Sequence, residues 1–261
     1  MTTPERLRRL ARPVLTTALG LLVGATLLAQ RGGYQGGYNS YSNNAKYDGK
    51  FTFVRIAYTE NMRFGRGGPM WAHDYPRGEE HFLKMFSELS NVQAHLTESS
   101  VMTFSDPELF KFPVAYMAEP GYWYLSTEQE VKNLRSYLLK GGFLIFDDFR
   151  GGGEWANLDL QMSRAFPEGR WIDIDANHAI FHSFFEINSL DIIPQAYDVG
   201  RPIFRGLFVD NDPNKRMMAI AGFNSDMSEF WEWSDTGYAP VAANNEAYKL
   251  GINLFMYGIT H

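Results

Sequence analysis

From residue 51 onward, apolar positions alternate between two rhythms. Residues 51–58 (FTFVRIAY) are β-branched and aromatic and predict a strand. Phe82, Met85, Phe86 and Leu89 then recur at helical spacing, so residues 78–89 predict a helix with one buried face. Residues 92–96 and 114–117 read as two more short strands. Between them, Asp106-Pro107 has the form of a helix start. A carboxylate there caps free N–H groups, and a proline at the first helical position gives up no bond. A further helix opens with a capping-box pattern, Ser126 with Gln129 or Thr127 with Glu130. Its inner face carries Val131, Leu134 and Leu138, and Gly141 closes it. Residues 143–146 (FLIF) form the continuous apolar run of a strand buried on both faces.

This order argues for an α/β fold on a doubly wound, mostly parallel sheet. The C-terminal half is mixed and richer in strands. Residues 157–166 predict a helix, 171–174 a strand, 181–185 a short helix and 217–221 a strand. Asn211-Asp212-Pro213-Asn214 reads as a hairpin tip. Residues 243–257, apolar at Ala247, Leu250, Ile252, Phe255 and Met256, predict the last helix.

The first fifty residues follow neither rhythm. Arg6, Arg8, Arg9 and Arg12 precede an uncharged, mostly apolar run at 14–29, the form of a secretory signal. That predicts an exported domain, periplasmic or secreted. The alternative is a membrane anchor formed by residues 14–29, although the run is shorter than the roughly 20 residues of a usual span. An uncleaved anchor would be the protein's one contact with a membrane. Residues 30–50, rich in Gly, Tyr, Asn and Ser, read as a flexible linker. The expected organisation is therefore a signal at 1–29, a linker at 30–50 and a single α/β domain at 51–261. Removing the signal takes away four Arg and one Glu, so the net charge moves from −6 to −9. So acidic a domain is not built to hold phosphate backbones, and no nucleic-acid partner is expected. The chain has no cysteine, which excludes thiol nucleophiles, thiolate metal sites and disulfides.

Candidate chemistry gathers at the end of the run 143–146, where Asp147-Asp148 leads through Phe149-Arg150 and three glycines to Glu154. Ligands in open α/β sheets bind outside the carboxyl ends of the strands, so this is the expected site. Either aspartate can serve as base, nucleophile or ligand to a hard divalent cation. Equally, both can hold the glycine loop through its N–H groups. Arg150 is a counter-charge or an anion contact, and Glu154 can swing to the same edge. The loop after the first strand brings Trp71, His73, Asp74 and Tyr75 there as well. Its rings can stack on a flat ligand or cover the core, and Asp74 can cap the next helix. His178 is a candidate catalytic partner for the aspartates. With His182, spaced i, i+4, it would also share one helix face as a metal pair, its third ligand from His73, Asp74 or Asp147. No other cofactor is implied. There is no G-x-S-x-G elbow and no Walker lysine. Asp226 with Trp231-Glu232-Trp233 forms a second acidic and aromatic cluster.

Several of these residues together carry a resemblance. They are Trp71 with Asp74-Tyr75-Pro76; Leu109-Phe110 before Pro113; and Leu134-Arg135 and Tyr137-Leu138 leading to Gly141-Gly142-Phe143 and Asp147-Asp148-Phe149. His178 with Phe181, Asp226 with Trp231, and Leu250-Gly251-Ile252-Asn253 complete the set. The pattern resembles the family called domain of unknown function 4159 over about residues 51–259. The resemblance implies a flavodoxin-like sheet of the class I glutamine amidotransferase type. In amidotransferases the turn after the strand equivalent to 143–146 bears a nucleophilic cysteine. Here it bears Asp147-Asp148, so thioester chemistry is excluded and the chain is not a glutamine amidotransferase. Two readings follow. In one, an exported domain binds a small molecule or a protein partner at the carboxyl edge, through Trp71, Asp74, Tyr75, Arg150 and Glu154. In the other, a hydrolase uses Asp147 or Asp148 with His178, with or without a divalent cation.

Overall fold

The strands are β1 (Val54–Ile56), β2 (Thr59–Glu60), β3 (Ser100–Met102), β4 (Val114–Ala118), β5 (Trp123–Tyr124), β6 (Phe143–Phe149), β7 (Trp171–Asp173), β8 (Ile203–Phe208) and β9 (Met217–Phe223). The α-helices are α1 (Arg77–Ser90), α2 (Glu128–Leu139), α3 (Gly151–Ala165), α4 (Met227–Glu232) and α5 (Val241–Thr260). They come from a computed structural model that describes residues 44–61, 68–195 and 200–261. The expected signal, and all but the end of the expected linker, lie outside the described residues.

Seven strands form one sheet in the order β3-β1-β4-β6-β9-β8-β7. The first five are parallel; β8 is antiparallel to β9, and β7 to β8. Ranked by their own order in the chain, the parallel strands run 2-1-3-4-5 across the sheet. Side chains alternate between two buried faces, as a strand covered on both sides requires. Phe143 and Ile145 pack with Phe82 and Phe86 of α1, Trp231 of α4 and Leu250 of α5. Leu144 and Phe146 pack on the other side with Leu134 and Leu138 of α2 and Leu158 and Met162 of α3. β2 and β5 form a separate antiparallel ribbon.

The α/β alternation follows the sequence pattern, except that the short helix expected at 181–185 is only the end of a 3-10 turn, Ala179–His182, and in three further respects. Residues 92–96 do not form a strand; Ala94 makes one lone bridge to Phe51, and the edge strand is β3 at Ser100–Met102. All three β3 residues are buried against β1, whereas Leu96 is about half exposed. Second, the three glycines are not a loop but the first turn of α3, which starts at Gly151. Poor intrinsic propensity hides that start, and burial of Leu158 and Met162 on the sheet overrides it. Third, the body takes in residues expected to be linker. The Asn44 side chain accepts from Val101 N (2.8 Å) and donates to Val101 O (3.1 Å), occupying the free edge of β3.

Candidate functional site

Four strand ends converge at the carboxyl edge. The chain after β1 supplies His73 and Asp74; β4 leads to Glu119; β6 carries Asp147 and Asp148; β9 leads to Asp226. Asp74, Glu119 and Asp148 have left-handed backbone, with φ of 61°, 50° and 55°. Such conformations cost on the order of 1 kcal/mol for a residue with a side chain and concentrate at functional sites. At Asp148 the turn falls where the β6–β9 register shifts, between Phe146 and Phe149.

The two adjacent aspartates consequently do different things. Asp147 Oδ2 accepts from Tyr116 Oη (2.9 Å), Met227 N (2.8 Å) and Ser228 N (3.3 Å), so it holds the start of α4. Burial, with Asp148 next to it, pushes its carboxyl up to about 7. Asp148 Oδ2 lies 2.6 Å from His73 Nδ1. That hydrogen bond raises His73 to about 9, so the imidazole is protonated at neutral pH. The same Nδ1 is 3.8 Å from Asp74 and 3.9 Å from Glu119, and 43% of the His73 side chain faces solvent. Asp74 Oδ2 accepts from Ser228 Oγ (2.6 Å). Asp226 Oδ1 accepts from Glu229 N (3.0 Å) and caps α4. Burial, then Asp148 and Asp74, push Asp226 well above the carboxylate range; burial, then Asp148 and Glu154, push Glu119 up to about 9.

Buried carboxyl oxygens remain without a hydrogen-bond partner among the described residues: Asp74 Oδ1, Glu119 Oε2, Asp147 Oδ1, Asp148 Oδ1 and Asp226 Oδ2. Leaving such atoms dry costs free energy unless protons or a cation satisfy them. One atom from each of His73, Asp74 and Asp148 lies within 4.8 Å of the others, and the same holds for Asp74, Glu229 and Glu232. Carboxylates with one imidazole suit a divalent cation. Nearby, Arg55 on β1 pairs with Glu79 on α1, both fully buried. Its Nη1 donates to the carbonyls of Trp71 and His73, each at 2.9 Å, and so pins the loop bearing His73 and Asp74.

The sequence profile of the family described as Domain of unknown function (DUF4159) matches residues 52–259. The chain belongs to this family. No curated protein matches it. The motif residues divide between scaffold and acidic cluster. Asn253 clamps the segment after β7 by accepting from Phe184 N and Phe185 N and donating to Phe181 O and Phe185 O. Gly251 lies against Trp231, and Asp226 caps α4, whereas Asp74 and Asp148 stand in the acidic cluster.

The remaining sequence candidates are placed as follows. Trp71 is buried and its ring meets Tyr75, so it offers no open face to solvent. Tyr75 is half-buried beside it. Arg150 Nη1 is 3.8 Å from Asp148 Oδ1. Glu154 Oε2 accepts from Arg150 N (2.6 Å) at the start of α3. It packs on Gly121, where an added Cβ would come within 2.4 Å of it, so that position admits no side chain.

The expected placement of His178 is corrected. Its ring lies against Phe208 and Tyr257, near the start of β9 and hence at the opposite, amino edge, away from Asp147 and Asp148. The His178–His182 pair fails too. The segment Ala179–His182 is a 3-10 turn, in which i, i+4 residues do not share a face. Both ring nitrogens of His182 are engaged, by Glu186 and by Ala176 O.

Sequence reasoning missed Glu119, Glu229, Arg55 and Glu79. Glu119 carried the same signal as Asp147, a carboxylate directly after an apolar strand. Arg55 was a charge inside an apolar run, which demands a buried partner.

Proposed function

We propose that this is an exported binding domain whose acidic pocket takes a divalent cation through His73, Asp74 and Asp148. The observation that carries this reading is the buried Asp148 held 2.6 Å from His73 beside Asp74, with carboxyl oxygens left unpartnered. The strand order 2-1-3-4-5 is that of flavodoxin-like sheets and supports the amidotransferase-like scaffold. Ligands of such sheets bind where the strand order reverses. Here that is between β1 and β4, whose following segments carry His73, Asp74 and Glu119. The N-terminal pattern of residues 1–29 supports export to a periplasmic or extracellular space. No helix among the described residues is long and apolar enough to cross a membrane. The cation would complete a site for a small molecule or a protein partner.

A hydrolase is the second reading. Asp148 holds Nδ1 of His73 as a carboxylate does in a catalytic triad. In the cation-free site, at about 9, His73 keeps its proton at neutral pH and is no general base; a bound cation would displace that proton, so metal uptake would release it. Thermal unfolding of the chelator-stripped full chain tests the proposal. Saturating Mn2+ raises the wild-type Tm, by the equivalent of about 2.7 kcal/mol at a hundredfold excess over Kd. Asp148→Asn and His73→Ala diminish that rise. An equal rise in all three proteins refutes the site.

A further inference from the structure

We infer that the pocket holds two divalent cations, the second on Asp74, Glu229 and Glu232, with Asp74 bridging the pair. The inference rests on the reading that His73, Asp74 and Asp148 hold the first. Asp74 belongs to both clusters, each with its three donor atoms within 4.8 Å of one another. Its side chain is fully buried. One oxygen accepts from Ser228 Oγ, while Oδ1 has no hydrogen-bond partner among the described residues. An unpartnered oxygen on a carboxylate shared by two donor sets is the arrangement a bridging ligand needs. Glu229 and Glu232 stand i, i+3 on α4, so their side chains share a face. α4 itself is fixed from two sides, by the Asp226 cap and by Asp147 on Met227 N and Ser228 N.

The charge balance also calls for a second cation. Asp74, Glu229 and Glu232 bring three carboxyl groups together, with one oxygen of each within 4.8 Å of the others. Arg77, in the first turn of the neighbouring α1, is paired with Asp235 at 2.5 Å. Mutually repelling carboxylates become attractive ligands once a divalent ion lies between them. Two such ions about 3.5–4 Å apart form the clamp that many sites use to hold and polarise an oxyanion.

Mn2+ is the probe, because it accepts carboxylate and imidazole ligands and its paramagnetic spectrum reports coupling between neighbouring ions. Equilibrium dialysis of the stripped full chain should give two Mn2+ per chain, with a spin-coupled spectrum. Glu229→Gln and Glu232→Gln, at partly buried positions, should keep the wild-type circular dichroism and bind one uncoupled ion. Asp74→Asn should abolish the coupling and weaken both ions at least tenfold. One ion per wild-type chain, unchanged by the two glutamine variants, overturns the second site and leaves the first. Two ions without coupling overturn the bridge. No bound ion overturns both this inference and the proposed function.

Discussion

Asp226 serves two opposed ends. Its Oδ1 caps α4, yet its Oδ2 is buried without a hydrogen-bond partner among the described residues, and its surroundings favour the protonated form. Asparagine keeps the capping acceptor and drops the ionisable group. Asp226→Asn should therefore match or exceed wild type in urea denaturation at pH 8, whereas Asp226→Ala should lose about 1 kcal/mol. A loss in the Asn variant as large as in the Ala variant would show that the carboxyl itself is needed. At this scale the sequence was partly legible. Asp147 and Asp148 marked the edge of the sheet because an apolar run ended on them. Their division of labour was not legible, because it depends on one left-handed residue, Asp148, which redirects a side chain that simple alternation would send elsewhere.

The elements meet through small residues as much as through large ones. α5 runs directly over α4 at Gly251, where an added Cβ would lie 2.4 Å from Trp231 Cζ2 and 3.0 Å from Phe82 Cε2. Both rings are fully buried and cannot retreat into solvent. Gly251→Ala should cost about 1–3 kcal/mol by overpacking, read as a lower denaturation midpoint with an unchanged slope. A neutral result would mean that the α4–α5 contact is slack. Helices with strong periodicity and caps were legible from the chain, as with α2, whose Thr127–Glu130 capping box forms as the pattern offered. The start of α3 and the position of β3 were not. Glycine codes weakly for a helix, and a three-residue edge strand is defined by its neighbour β1, not by its own residues.

The two edges of the sheet differ in chemistry. The acidic pocket occupies the carboxyl edge, while His178 sits at the amino edge as the cap of a 3-10 turn, its Nδ1 accepting from Ile180 N at 3.2 Å. Burial holds the His178 pKa below its ordinary value. The fold thus prefers the neutral ring. Its contribution is full above the unfolded value of about 6.5 and is lost as pH falls through the lower folded value. Protonation would also turn the capping acceptor into a donor. The Tm advantage of wild type over His178→Asn should shrink from pH 7.5 to pH 5, because an amide cap does not titrate in that range. A constant difference would refute this account. The chain by itself determined the α/β class, the parallel core strands and the placing of Asp147 and Asp148 at a strand end, because hydrophobic period and strand-end polarity are local properties. Tertiary structure alone decided which polar residues meet. It joined His73, Asp74, Glu119, Asp148 and Glu232 from four separate segments, and it sent His178 to the far edge. That assembly depends on strand order and on left-handed turns at strand ends, and no local pattern encodes either.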